Sequence, residues 1–437
     1  MARLAFVSPL PPAPTGIADY SVEVLELLAL RHQIDAFHAQ DAVDAARLPA
    51  GVGSFRAETL LERQRERPYD LVLYQLGNGT AHAFEYDLLA RLPGLLVLHD
   101  LVLHHARARA FVDSPEARAY AADPSSATLR EAALRRLAEY SDELAYTYPA
   151  QAGRLYPVAL GSSGELLPYA YPLFRIPVEA SRATAAHNAF TCDALRAEVG
   201  GARVERVVMP AERVAVEPNA VAALRARLGI GAQELAVGCF GLLTPEKRVV
   251  TAAQAVARGI EAGLPLRLLL VGPVPDAAAL ERQLARLGVR ERTIPTGRVP
   301  FAELPAHVEA ADVVVHLRHP SARETSAALL RVLAQGRPAV VADLEHLAEI
   351  PEGCVLRADM ADEEGEVTRA VERLAKSPAL RASLAGAARA FVAREHSPER
   401  CLESYERAIA LAREAPPPAP RAWPRHWPRP DRLDASS

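Results

Sequence analysis

The stretch richest in chemistry runs Asp312-Val-Val-Val-His316-Leu-Arg318-His319-Pro320-Ser321-Ala-Arg323-Glu324-Thr325-Ser326 and continues through an Ala/Leu-rich run to Gly336-Arg337-Pro338. A buried strand passes through His316 into a polar loop, then into a helix capped by Thr325 or Ser326. Gly336 stops that helix and Pro338 opens the next strand. The unsatisfied N–H groups after the cap can hold a phosphate. Glu324 stands just before them, where a carboxylate can accept hydrogen bonds from sugar or ribose hydroxyls. Arg331 lies seven residues further on, on about the same helical face, and its side chain leans back toward the helix start. Ala327, Ala328, Leu330, Leu333 and Ala334 supply the apolar stripe. The plainer alternative for Glu324 is a surface carboxylate favoured by the helix dipole.

A second segment, Val237-Gly-Cys-Phe240-Gly241-Leu242-Leu243-Thr244-Pro245-Glu246-Lys247-Arg248, ends a strand at a glycine and presents two adjacent cations as a helix begins. Cations are unfavourable at the positive end of a helix unless an anion such as a diphosphate occupies the turn. A solvated basic pair is the alternative. The N-terminal loop from Ser8 to Ser21 is dense in proline and carries Thr15, Gly16, Asp19 and Tyr20. Gly16 permits close backbone approach at the start of a helix, although a simple strand–helix turn capped by Asp19 or Ser21 reads equally. Another strand ends in Leu98-His99-Asp100, with His104 and His105 following. His99 at a strand end can hydrogen-bond a ligand, and Asp100 can orient it. A metal site here is disfavoured, because adjacent histidines on a helix face different directions and no second cluster answers them.

The elements that must position these groups follow from hydrophobic rhythm. Strands are predicted at Leu4–Val7, Asp70–Tyr74, Leu95–His99, Val204–Met209, Leu235–Phe240, Leu268–Val271, Val313–Leu317 and Ala339–Ala342. Most are unbroken apolar runs, as parallel strands buried on both faces require. Strands alternating with helices imply βαβ units and doubly wound sheets of α/β class, because parallel neighbours need a crossover. At 437 residues the chain has room for two such domains. Their boundary falls near 210–234, where a polar stretch and a short helix, Val221–Leu228, lead into the strand at 235. Residues 103–170 read as a helical excursion with loops at Asp123–Ser126 and Gly161–Gly164. The last segment, 416–437, is rich in Pro and Arg, and disorder is expected. Its Trp423 and Trp427 could dock a partner or a membrane surface, but an inert tail is the simpler expectation.

The formal net charge of −4 argues against a nucleic-acid-coating protein. No apolar run reaches the roughly 18 to 20 residues that span a bilayer, and the short run Leu4–Val7 suits a strand better than a secretory segment. The four cysteines (Cys192, Cys239, Cys354, Cys401) are widely separated, so reduced thiols in a cytoplasmic protein are expected.

In order and spacing, these segments resemble the retaining glycosyltransferases of the GT-B fold, specifically the large family 4 group (glycosyl transferases group 1). The likeness covers roughly residues 3 to 412 and also rests on Leu270-Val-Gly272-Pro, Gly297-Arg-Val-Pro, Glu303-Leu and Ala311-Asp312-Val-Val-Val. It implies two Rossmann-like domains facing a cleft: 1–212 on the acceptor side, 213–395 for the donor, a helix 396–415 crossing back, and the tail 416–437. It implies transfer of a sugar from a UDP- or GDP-linked donor to a glycan, lipid-linked or small-molecule acceptor, without metal or other cofactor. His99, Lys247 and Glu324 would be catalytic. Gly16, Gly241, Thr244, Arg248, Gly272, His316, Thr325, Ser326 and Arg331 would serve the donor, and Thr15, Asp19, Tyr20 and Asp100 the acceptor side. Peripheral contact with the inner face of a membrane is compatible with a lipid-linked acceptor. Two departures stand out: Leu242 replaces the arginine usual after the glycine, and Arg331 replaces a glutamate that normally holds the ribose. They keep open the alternative of a non-catalytic nucleotide-sugar-binding protein, and the same two-domain fold keeps open that of a nucleotide-sugar epimerase.

Overall fold

The computed structural model describes residues 1–160, 166–419 and 421–430. Contacts divide the chain into two units. One comprises Met1–Val208, Ala322–Thr325 and the C-terminal residues from Glu399; the other comprises Met209–Ser321 and Ser326–Pro398.

The first unit is built on seven strands: β1 (Arg3–Val7), β2 (Gln33–His38), β3 (Gly53–Arg56), β4 (Leu71–Leu76), β5 (Leu95–Leu98), β6 (Ala183–Ala186) and β7 (Val204–Arg206). They lie in the order β3-β2-β1-β4-β5-β6-β7, and every pairing is parallel. Strands β4 and β5 are buried at every position, which is why their sequences are nearly all apolar. The outermost strand β3 is partly exposed. β7 ends three residues earlier than expected, although Val207 and Met209 remain buried.

The second unit holds six parallel strands: β8 (Leu235–Phe240), β9 (Leu266–Val271), β10 (Thr293–Gly297), β11 (Val313–His316), β12 (Ala339–Ala342) and β13 (Leu356–Ala358). Their order is β10-β9-β8-β11-β12-β13. In both sheets the order reverses once, between β1 and β4 and between β8 and β11. Ligands of doubly wound sheets bind beyond the carboxyl ends of the strands at such a reversal, so the residues following those four strands are the ones to inspect.

The predicted excursion is largely helical over its described length, with the expected loop at Asp123–Ser126 and helices including His104–Val112, Ala127–Thr147 and Ala152–Leu160 around Phe111, Tyr140, Leu144 and Leu155. The loop expected at 161–164 lies outside the described residues. The last long helix, Pro398–Glu414, belongs to the first unit from Glu399 on. There Tyr405 is fully buried, and Ser404 Oγ accepts from the Val208 N–H at 2.9 Å. The expected disorder of the tail is corrected over residues 421–430: Trp423 and Trp427 are part of the main core of the first unit. Proline and arginine dominate the composition there, but two indoles bury enough apolar surface to hold the segment.

Candidate functional site

In the first unit, β1 delivers the chain into the loop Ser8–Thr15. Ser8 Oγ and Ser21 Oγ lie 2.8 Å apart and tie the loop to the helix Gly16–Ala29. Gln40, just past β2, holds both the N–H and the carbonyl of Leu10, at 2.9 and 2.6 Å. Thr15 is the N-cap, its side chain accepting from Ile17 N–H. A Cβ placed on Gly16 meets nothing within 4 Å, so the protein's own packing leaves that backbone approachable. Two neighbours expected on the acceptor side are placed differently. Asp19 pairs with Arg47 at 2.9 Å. Tyr20, four residues past Gly16, falls on the inward face of the helix and is 1% exposed, so it supports the loop from beneath.

That support is a buried polar network. The Tyr20 ring packs edge-on against His99 at 4.8 Å and His187 at 5.3 Å, and its hydroxyl lies 2.5 Å from the Tyr405 hydroxyl. His99 follows β5. Its Nε2 is 2.9 Å from Gln75 Oε1, and its Nδ1 is 3.2 Å from His187 Nε2. His187 Nδ1 in turn donates to the Val207 carbonyl at 3.1 Å. Burial, reinforced by His187 and His82, pushes the His99 pKa well below its ordinary value, so the ring is neutral at pH 7. Both ring nitrogens already have protein partners. A contact between His99 and a ligand through a ring nitrogen therefore requires one of these bonds to yield. Gln75, His187 and Tyr405 were not singled out in the sequence; only their juxtaposition across β4, the β6 end and the last helix reveals them.

Asp100 turns the other way: its Oδ2 accepts from Asn78 N–H at 2.8 Å, in the loop after β4. A Cβ on Gly77 there would lie 2.3 Å from Ile17 Cδ1, the far end of a side chain that would have to shift to admit it. The segment Ala322–Thr325 is counted by its contacts with this unit. Asn188 Nδ2 donates to the Arg323 carbonyl at 3.0 Å and to Thr325 Oγ1 at 3.2 Å, and Thr191 Oγ1 donates to the same carbonyl at 3.1 Å. Arg323 adopts a left-handed backbone, φ 59°. Such a conformation is costly for a non-glycine residue, and these three bonds hold it. Glu324 sits half-buried between Arg323 and Thr325.

In the second unit, Gly241 and Gly272 follow β8 and β9 with φ of 102° and 138°. A Cβ on Gly272 would lie 1.8 Å from the Gly241 carbonyl oxygen, so the two turns touch backbone to backbone. The chain then passes through the single turn Pro245–Lys247 into the helix Val249–Glu261. Thr244 accepts the Lys247 N–H through its carbonyl at 2.9 Å, which closes the turn. The Lys247 side chain is 7% exposed, and His316 at the end of β11 is 5% exposed. Burial first, then the charges of Lys247 and Arg318, drives the His316 pKa well below its usual value. Lys247 and a neutral His316 thus stand at the carboxyl ends of the two strands that flank the reversal.

Arg248 does not join them. Its Nε and Nη2 pair with both oxygens of Glu363, at 2.7 and 2.5 Å, in a bidentate geometry that commits the guanidinium. Arg331 likewise sits with its guanidinium over the Phe301 ring at 4.9 Å. Ser326, rather than Thr325, caps the helix Ala327–Ala334, accepting from Leu329 N–H at 3.3 Å. Gly336, at φ 70°, ends it as expected. Among the described residues no group of three or more His, Cys, Asp or Glu is arranged to hold a metal ion.

Comparison with known proteins bears on this arrangement. Residues 234–377 match the family model described as glycosyl transferases group 1. A 2-deoxystreptamine glucosyltransferase of Streptomyces kanamyceticus is 30% identical over 235 residues, covering 51% of this chain and 60% of the relative. A GDP-mannose-dependent alpha-(1-6)-phosphatidylinositol monomannoside mannosyltransferase of Mycolicibacterium smegmatis is 34% identical over 23% of this chain and 26% of its own length. The chain therefore spans less than two thirds of the curated relatives it matches. Among solved structures, Anabaena Alr3699/HepE in complex with UDP and glucose superposes with a TM-score of 0.64 at 16% identity, covering 94% of this chain and 100% of that one. That likeness extends the GT-B fold to both units. Residues 234–377 of the second unit are thus similar to glycosyl transferases group 1, and the two Rossmann-like units share the GT-B fold.

Proposed function

We propose that the protein is a glycosyltransferase that takes a sugar from a nucleoside-diphosphate donor, UDP- or GDP-linked, and passes it to a glycan, lipid-linked or small-molecule acceptor with the anomeric configuration retained. The observation that carries this is Lys247: a buried ammonium beside neutral His316, at the carboxyl ends of β8 and β11, within the residues that match the family model.

The barrier in glycosyl transfer is departure of a nucleoside diphosphate as positive charge builds on the anomeric carbon. A desolvated fixed cation aimed at the leaving phosphates lowers that barrier because it needs no reorganisation when the charge forms. Lys247 takes this role, and the N–H groups after Ser326 take the remaining phosphate oxygens. Gly241 and Gly272 let backbone stand where side chains would exclude the diphosphate. Glu324 and Thr325 accept hydroxyls of the donor sugar. His99 is a catalytic residue once one of its two ring bonds yields, Gly16 serves the donor, and Thr15 and Asp100 form the acceptor side. Retention of configuration rests on the family resemblance alone.

The test has two parts. A panel of UDP- and GDP-sugars is screened by thermal shift, since only a ligand of the folded state raises the melting temperature. With the donor in hand, Lys247→Ala is expected to lower turnover on the order of 10² or more. A folded variant with unchanged turnover would sink this assignment.

A second reading, donor binding without transfer, is favoured by the commitment of Arg248 to Glu363, which removes a cation from the turn. It predicts nucleotide-sugar binding with neither hydrolysis nor transfer.

A further inference from the structure

The segment 421–430 is anchored by two buried carboxylates. Trp423 and Trp427 are 3% and 4% exposed. Trp423 Nε1–H donates to Glu179 Oε2 at 3.1 Å, and Trp427 Nε1–H donates to Glu143 Oε1 at 2.6 Å. His426 Nε2 lies 2.9 Å from the same Glu143 oxygen. From the other side Glu143 receives Nε and Nη2 of Arg107. Burial alone would raise that carboxyl, but the Arg107 charge and the His426 bond hold it at about 2. A fully buried carboxylate remains ionised and in place only while its donors remain.

The cluster leads toward the acceptor side. Arg107 lies on the helix His104–Val112, whose first turn is fixed by Asn78: Ala106 N–H donates to Asn78 Oδ1 at 3.0 Å, and Asn78 Nδ2 is 3.0 Å from His105 Nδ1. Asn78 N–H is the group that Asp100 accepts. Two sets of hydrogen bonds, joined by the backbone of one helix from Arg107 back to Ala106 and His105, therefore connect Trp427 and His426 to the loops after β4 and β5.

We propose that residues 421–430 are a strap that positions the Asn78 and Asp100 loops, and that Trp427 and His426 are positioning residues for the acceptor side. The mechanical part stands without the transferase reading; the word acceptor rests on it. The strap works by keeping Glu143 ionised and Arg107 extended, so that the 104–112 helix holds Asn78 in register.

Amide exchange is measured on the full chain, on Trp427→Phe and Glu143→Gln, and on a chain ending at Ala419. Trp427→Phe keeps an aromatic ring but removes the N–H. Exchange in 76–79 and 104–112 is expected to rise on the order of tenfold, with β8 to β13 unchanged and the His105 imidazole proton signal displaced. A strap that only stabilises would raise exchange in 127–147 and 416–430 and leave 76–79 and the His105 signal where they were; that result overturns the proposal. If the shortened chain does not fold, the two point variants decide alone. The melting shift with UDP, measured alongside, tests the donor reading separately, because its loss in the parent protein leaves the exchange result intact.

Discussion

The carboxyl ends of the two sheets are furnished in opposite ways. Beyond β4 and β5 the first unit has a dense side-chain network in which Tyr20, Gln75, His99, His187 and Tyr405 serve mainly each other. Beyond β8 and β9 the second unit has bare backbone, with Gly241 and Gly272 in contact and the buried Lys247 in the turn that follows β8. A surface made of satisfied side chains holds its shape and offers few groups to a ligand. One made of glycines and a helix start offers its N–H groups to whatever anion arrives. The first is closed by its own side chains and the second is open at its backbone, although both rest on the same α/β layering.

The sharpest way to break this contrast is at Gly272. Gly272→Ala forces a methyl group into the Gly241 carbonyl and demands a disfavoured φ, and should cost about 3 kcal/mol or more, read as a loss of melting temperature. In the first unit, acid is the comparable lever. His104 donates through Nδ1 to the Tyr171 carbonyl, and its Nε2 faces the Tyr140 hydroxyl; burial lowers its pKa to about 4. The unfolded chain binds this proton more readily, so the stability from His104 is complete above pH 6.5 and is lost as pH falls through 4. Melting between pH 7 and 4 should show a loss on the order of 3 kcal/mol that His104→Gln flattens. Tyr20→Phe removes one hydroxyl from the buried pair with Tyr405 and should cost about 1 to 2 kcal/mol, with donor binding in the second unit unchanged by calorimetry. The smallest effect is expected for Asp19→Asn, which opens a partly exposed ion pair with Arg47 and should cost less than about 1 kcal/mol.

Much of the frame was legible from apolar runs. β1, β4, β5, β8, β9, β11 and β12 are buried, and their sequences say so. β2 (Gln-Ile-Asp-Ala-Phe-His) mixes polar residues into the pattern, β6 is four small residues, and β3, β10 and β13 lie toward the sheet margins and are partly exposed. None of these carries a run long enough to read. Lys247, Gly241, Gly272 and Ser326 were legible because strand end, turn and helix start are contiguous in sequence. The partners of His99 were not, since Gln75 and His187 come from separate crossovers and meet it only across the sheet. Arg248 is read from its place at a helix start and Arg331 from its helical spacing, whereas Glu363 and Phe301, distant in sequence, are where the fold takes them. The tail was misread because composition averages over residues, while two tryptophans suffice to anchor it.

The return of the chain to the first unit from Glu399 on has a consequence for biosynthesis. Tyr405, Trp423 and Trp427 are core residues of a unit whose first strand begins at Arg3. Domains generally fold as units while a chain emerges from the ribosome, the N-terminal one first. Here the N-terminal unit lacks part of its interior until Trp427 has been made, whereas every residue of its neighbour has been made by Pro398. The later-encoded body is therefore the one able to complete itself first.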